Sequence, residues 1–331
     1  MRVDMVVEKF IEISKVIQNT GFGITCIQNT VASDPLNPVV GHYYIDQLQT
    51  EVDLEKIKTP EINLDKKTTA MQEAAAHEVF DGILGVRMTG VATMFNLFDS
   101  IVTWHGVENT LYDLADRPEF IHMIMDRVAN AYLAMLDQLE QQGLLAYDMP
   151  LIHCSGAYTD ELPAPGFDPG KPRAKDTWTS GMAQIFATVS PAMHDEFDIQ
   201  YALKWYRRFG LVYYGCCEPL HNKIGIVKKI PGLRKISISP WADVDKAAEQ
   251  IQGDYVISNK PTPAYLATEV WDPEIVVKNL QHTYEKCKMY KTPLEFILKD
   301  ISTLQYKPQR LWEWSDIAMR LVKESKGTVL G

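Results

Sequence analysis

The feature that most constrains this chain is a recurring local order: helical stretch, glycine, short apolar run. Asp116-Arg117-Pro118-Glu119 opens a periodic stretch reaching Gln142; Gly143 follows, then Leu144-Leu145-Ala146-Tyr147-Asp148. Ser190-Pro191 opens a second, with Met193, Phe197, Tyr201 and Trp205 four residues apart on one face, before Gly210 and Leu211-Val212-Tyr213-Tyr214. Ser239-Pro240 opens a third, before Gly253 and Tyr255-Val256-Ile257-Ser258. Ser and Asp side chains accept from the free N–H groups of a first helical turn, and proline there gives up no hydrogen bond. Glycine takes the left-handed conformation that ends a helix. Ile83-Leu84-Gly85-Val86, Arg234-Lys235-Ile236-Ser237-Ile238 and Phe296-Ile297-Leu298-Lys299 read as further strands. Short strands apolar on both faces, alternating with helices, predict a parallel sheet covered by helices. The expectation is α/β: one (β/α)8 TIM barrel domain over residues 1–331, with a doubly wound sheet as the competing architecture.

With 331 residues, 46% of them apolar, the chain can bury a core without disulfide staples. Its net charge of −10 argues against a general nucleic-acid partner, because phosphate affinity comes from clustered Lys and Arg. Five irregularly spaced cysteines predict free thiols and fit a reducing, cytoplasmic setting. No apolar run approaches the ~20 residues of a membrane span, and the first residues lack the layout of a signal peptide. The stretch 155–179 carries four prolines and three glycines and predicts a long folded loop over the site.

In either architecture, ligands meet the C-terminal ends of the strands. After Leu211–Tyr214 comes Gly215-Cys216-Cys217-Glu218-Pro219-Leu220-His221, which packs two thiols, a carboxylate and an imidazole into six residues. All three chemistries ligate zinc. Neighbouring side chains on extended backbone diverge, so one of the two cysteines is expected to bind and the other to pack in the wall. The expected metal ligands are Cys217, Glu218 and His221, joined by His153; His221 as a helix cap is the competing reading. Asp148, His105 and Glu218 are candidates for proton transfer. Arg87, Trp104, Asn259, Lys260 and Asp300 lie at or near strand ends, and Tyr158, Asp160 and Glu161 lie in the long loop; these eight are candidates for binding substrate. The chain has no G-x-G-x-x-G fingerprint, no Walker loop, no G-x-S-x-G elbow and no H-E-x-x-H helix.

The stretches SPAMHDEFDIQYALKWYRRFG, LVYYGCCEPL and ISISPWADVDKAAEQIQGDYVISNKPTPAYL resemble the uroporphyrinogen decarboxylase superfamily, which includes zinc-dependent methyltransferases working with corrinoid proteins. The resemblance covers Ser190 to the C-terminus well and Ile83–Thr179 more loosely. It implies the (β/α)8 barrel. It also implies more chain ahead of the first residue than this sequence carries, so the first barrel elements are expected to be lacking or modified. No arginine-rich motif of the decarboxylase branch occurs. The methyltransferase branch places His-x-Cys after one strand and a second Cys after a later one. Here Tyr214-Gly215-Cys216-Cys217 keeps the cysteine without the histidine, and Ser258-Asn259-Lys260 has none. The resemblance therefore implies a methyltransferase moving a methyl group from a small methylated substrate, of aryl methyl ether or methylamine type, to a corrinoid protein, with a differently built zinc site. The alternatives are a metal-independent decarboxylase or lyase on the same barrel, and a non-catalytic ligand-binding homologue. A homodimer is left open.

Overall fold

The computed structural model describes residues 3–32 and 40–326. Its principal parallel strands are β1 (Phe10–Ser14), β2 (Gly85–Thr89), β3 (Met94–Phe95), β4 (Trp178–Gly181), β5 (Leu211–Tyr214), β6 (Leu233–Ile238), β7 (Val256–Asn259) and β8 (Leu294–Phe296). Six of them form one parallel sheet in the order β8-β7-β6-β5-β4-β3, and β1 pairs separately with β2, Phe10 opposite Gly85. The described strands are not hydrogen-bonded into a closed ring. A strand thus stands near the N-terminus, where the first barrel element was expected to be altered. The expected strand at 144–148 shrinks to one parallel bridge, in which Val91 N–H donates to Leu144 O at 2.7 Å and Ala146 N–H donates to Val91 O at 2.9 Å.

The helices follow from their ends. Pro118–Gln141 has proline in its first turn and buries Ile121, Ile124, Met125, Val128 and Leu136 along one side. Gly143 leaves it with φ +66°, where a side chain would meet Gly170 O at 2.6 Å. Ser190 caps the next helical stretch by accepting from Met193 N–H at 3.2 Å, and a π turn at Asp195–Ile199 interrupts it before Gln200–Tyr206. The third helix starts later than expected, at Val244. Asp243 accepts from the N–H groups of Asp245 and Lys246, whereas Ser239-Pro240 remains in the connection. Its C-terminal turn passes through Gln252 at φ +52°, so Gly253 is not the left-handed residue.

Packing divides the sheet into two unlike faces. Val212, Tyr214, Ile236, Ile238 and Ile257 join Trp205, Ala247 and Ile251 in the main core under the helices. At roughly 1.5–3 kcal/mol per buried large apolar side chain, this outer face dominates the stabilisation. Alternation turns Tyr213, Lys235, Ser237, Ser258 and Glu295 to the other face. The expectation of strands apolar on both faces holds for β5, whose Leu211 and Tyr213 join a second apolar cluster, and fails for β6, β7 and β8, which turn polar groups to that side. A parallel strand can keep charged groups on its inner side when those groups satisfy one another, and here they do. No described helix is long and apolar enough to cross a membrane.

Candidate thiol and metal centre

A short antiparallel hairpin, Leu151–Ile152 with Ser155–Gly156, lies across the polar inner face. Ser155 is fully buried and donates its hydroxyl to Glu295 Oε1. Lys235 Nζ donates to Gly156 O at 2.6 Å and to Glu295 Oε2 at 3.0 Å. These bonds fasten the hairpin to β6 and β8. Below it, Met149, Ile152 and Ala157 pack against Trp178, Leu211 and Tyr213. The hairpin tip is then held in one place, with His153 at φ +50°.

That tip meets the turn after β5. His153 Nε2 lies 3.2 Å from Cys216 Sγ, and Cys154 Sγ lies 3.3 Å from the Tyr213 hydroxyl. One ligand atom from each of His153, Cys154 and Cys216 falls within 4.8 Å of the others. Gly215, at φ +97°, turns the chain out of β5; a side chain there would come within 2.5 Å of Leu220 Cδ1. The strand has ended, so the two adjacent cysteines no longer diverge. Their sulfurs are 3.6 Å apart. Lys299 donates to both, at 3.4 and 3.5 Å, and is itself held by Asp300 at 2.8 Å.

The electrostatics follow from this crowding. The Cys216 thiol beside Cys154 holds Cys154 well below the usual thiol range, with His153, Lys260 and the Tyr213 hydroxyl adding to the effect against burial. The same bond, with burial, pushes Cys216 up. Burial pulls the Lys260 ammonium down to about 8, while it donates to Ser258 Oγ and sits 5.4 Å from the Tyr213 ring centroid. Burial also opposes the Lys299 charge, but Asp300 and the neighbouring sulfurs outweigh it and raise its proton affinity. Fully buried Glu218 is pushed up to about 7 by its surroundings.

The donor set suits zinc. Metal–ligand bonds of about 2.0–2.3 Å in a tetrahedron set ligand separations of roughly 3.5–3.8 Å. The observed spacings of 3.2 Å and within 4.8 Å bracket that range and ask for side-chain adjustments only. Two thiols with one imidazole leave a fourth position for another group, the arrangement of catalytic zinc.

The expected site residues separate into three places. His153, Cys217, Lys260 and Asp300 gather around Cys216 directly or through Lys299. Glu218 lies behind them and faces inward, its two oxygens accepting from Ala183 N–H at 3.1 Å and Cys216 N–H at 3.0 Å. The sulfur meeting His153 is that of Cys216, where Cys217 was expected, and Glu218 holds backbone in place of a metal. His221 Nε2 contacts Asn222 at 3.1 Å, and its buried Nδ1 has no partner among the described residues. Asn259 ends β7 with Oδ1 buried and without a partner among the described residues.

Arg87 and Asp148 form an ion pair at 2.8 Å, which Glu12 shares, and the Arg87 guanidinium lies 3.7 Å over Phe10. Asp148 and Tyr158 line a cavity of about 40 Å³, room for water. The Tyr158 hydroxyl donates to Val6 O at 3.3 Å, Glu161 pairs with Arg234, and Asp160 is exposed. His105 and Trp104 belong to a buried helix, Leu97–His105. Both His105 nitrogens are engaged, with Asp46 at 2.9 Å and Asp113 at 2.7 Å.

Sequence reasoning missed Cys154, Lys299, Lys235, Glu295 and Tyr213 as members of the centre. Alternation within Arg234-Lys235-Ile236-Ser237-Ile238 carried a signal for a polar inner face, as did the adjacent His153-Cys154 pair. No protein-family model and no curated protein matches the chain.

Proposed function

We propose that this chain is a zinc-assisted methyltransferase that moves a methyl group from a small methylated substrate to a corrinoid protein. The observation that carries the reading is the convergence of His153, Cys154 and Cys216 on the polar inner face of a parallel sheet. The superfamily resemblance supplies the reaction class. A (β/α)8 barrel is the architecture we infer. Eight parallel runs occur in chain order, counting the Leu144–Ala146 bridge and treating β2 and β3 as one run, and the sheet face away from the main core carries Lys235 and Glu295.

His153, Cys154 and Cys216 would hold the metal, and zinc there would supply Lewis acidity toward an ether oxygen or a thiol. The protein's own groups do the positioning. Glu218 fixes the Cys216 backbone through its N–H. Lys299, oriented by Asp300, places a positive charge beside both sulfurs of the turn. Lys260 is held by Ser258 and presents a buried cation near Cys154.

The test combines zinc analysis of the purified protein with a methylation screen against cob(I)alamin over aryl methyl ethers and methylamines. Wild type should carry zinc, Cys154→Ala and Cys216→Ala should lose it, and methyl transfer should follow zinc content. Equal zinc in all three proteins would sink the metal assignment. The two inner-face lysines favour one second reading, a metal-independent decarboxylase or lyase that grips a carboxylate with Lys260 and Lys299. Full turnover of a carboxylated substrate in chelator, without methyl transfer, would select it.

A further inference from the structure

Three of the five cysteines, Cys154, Cys216 and Cys217, crowd into one centre, while Cys26 is exposed elsewhere and Cys287 is on the buried side of the helix Pro273–Met289. Metal binding as derived above uses two sulfurs. The third, that of Cys217, lies 3.6 Å from Cys216, and Lys299 donates to both. We propose that Cys154 and Cys216 are a reversible oxidation site, joined as a disulfide by a hydroperoxide, and that this bond closes the centre to metal. The disulfide stands on the sulfur geometry alone; only its consequence rests on the zinc reading.

The choice of pair follows from connectivity. Cys216 and Cys217 are neighbours in sequence, and a disulfide between them closes an eight-membered ring that forces the intervening peptide from planarity. Cys154 and Cys216 come from separate segments, a hairpin tip and a turn leaving a strand. Their sulfurs already lie within 4.8 Å, and a disulfide needs about 2.05 Å. Rotation of side chains on two short turns can supply an approach of under about 2.8 Å. Cys154 is partly exposed whereas Cys216 is nearly buried at 4%, which sets their order of reaction.

The chemistry balances without a further reagent. The Cys154 thiolate attacks one peroxide oxygen; an S–O bond forms, the O–O bond breaks, and the departing oxygen leaves as hydroxide or alkoxide and takes a proton from water. Sulfur is oxidised to the sulfenic acid and the peroxide is reduced. Cys216 then gives its proton to solvent and attacks the Cys154 sulfur; the S–S bond forms and the sulfenic oxygen leaves as water. Both thiolates are consumed. A disulfide sulfur is a poor zinc ligand, so two of three donors vanish together.

The experiment uses the full chain, reduced and stripped of metal, then treated with hydrogen peroxide. Free thiols are blocked, the protein digested, and linked peptides identified by mass spectrometry. The expected product weighs 2 Da less, links the Cys154 peptide to the Cys216 peptide, and reverts with dithiothreitol. Cys217→Ser should keep the link, and Cys154→Ser should lose it. A link inside the Cys216–Cys217 peptide alone, or full alkylation of Cys154 after oxidation, overturns the proposal. Zinc added to reduced protein should slow the link at least tenfold, and oxidation should release zinc to a chromophoric chelator. A reduced protein that binds no zinc yet forms the link removes the metal reading and leaves the oxidation site standing.

Discussion

His153 Nε2 stands 3.2 Å from Cys216 Sγ, although 63 residues of chain separate them. The contact exists because two unrelated local events coincide: a hairpin tip fastened by Ser155 and Lys235, and a strand that ends at Gly215. Zinc affinity should therefore depend on both segments. His153→Ala should weaken zinc binding by more than about 100-fold, beyond the 10–100-fold typical of an outer-shell loss. Lys235→Met, which touches no donor atom, should fall within that lower range by loosening the hairpin. Competition with a fluorescent chelator measures both. Equal affinity for His153→Ala and wild type would remove His153 from the set.

Glu218 fixes the other side of the centre. Glu218→Ala strands two buried N–H groups, those of Ala183 and Cys216. Each such donor costs about 1–3 kcal/mol, so a total loss of roughly 2–6 kcal/mol is expected in urea unfolding. Zinc affinity should fall with it, since the Cys216 backbone is no longer held. If Glu218 were a metal ligand, its removal would abolish zinc with much smaller effect on metal-free stability.

Much of the fold was legible in local chemistry. Pro118 and Gly143 bound the long helix, Ser190 caps where it was expected to, and the runs at 211–214 and 256–258 are strands. Each of those signals sits within a few residues of what it determines. The misplaced helix start at Ser239-Pro240 was a competition between two caps a few residues apart, won by Asp243 with two acceptor bonds. The centre was less legible because its contacts span 59 to 63 residues between Cys154 and Tyr213 and between His153 and Cys216. Reading the runs as apolar on both faces hid Lys235 and Glu295, and with them the hairpin they anchor.

The His105 network should prove structural. Asp113 binds both His105 and Arg117, and these partners outweigh burial to hold its carboxyl below the ordinary range. A carboxyl held low contributes stability that is full above its unfolded pKa and lost as pH falls through the folded one. Asp113→Asn should therefore cost stability at pH 7 and flatten the loss of stability on acidification below about pH 4. Zinc content should not change. A zinc loss in Asp113→Asn would place this network in the site after all.

Lys223 gives a slope of the same sign at alkaline pH, for the opposite reason: burial disfavours its charged form. It is nearly buried, donates to Phe186 O, and burial pulls it from 10.5 to about 8. Below pH 8 both folded and unfolded chains hold the proton, and well above 10.5 neither does. Between those limits only the unfolded chain holds it, so this group adds stability as pH rises, by at most about 1.4 kcal/mol per unit. Relative to wild type, Lys223→Met should be most favoured near pH 8 and lose ground by pH 10. A stability difference that stays constant across that range would mean that Lys223 is not desolvated.

Gly215 carries the geometry of the turn on which Cys216 depends. Its φ of +97° is costly for any L side chain, and an added Cβ would come within 2.5 Å of Leu220 Cδ1 and 3.1 Å of Ser237 Cβ. Backbone strain of about 1–3 kcal/mol then adds to overpacking of similar size. Leu220 is buried in the main core, so it has little room to retreat, and Ser237 is tied to Cys216 O at 2.9 Å. The turn should move instead, taking Cys216 from His153. Gly215→Ala is thus expected to lose about 2–6 kcal/mol of stability and most of its zinc. Gly225→Ala, where an added Cβ meets open space, serves as the control and should lose neither. If Gly215→Ala keeps full zinc affinity, the position of Cys216 does not depend on this turn.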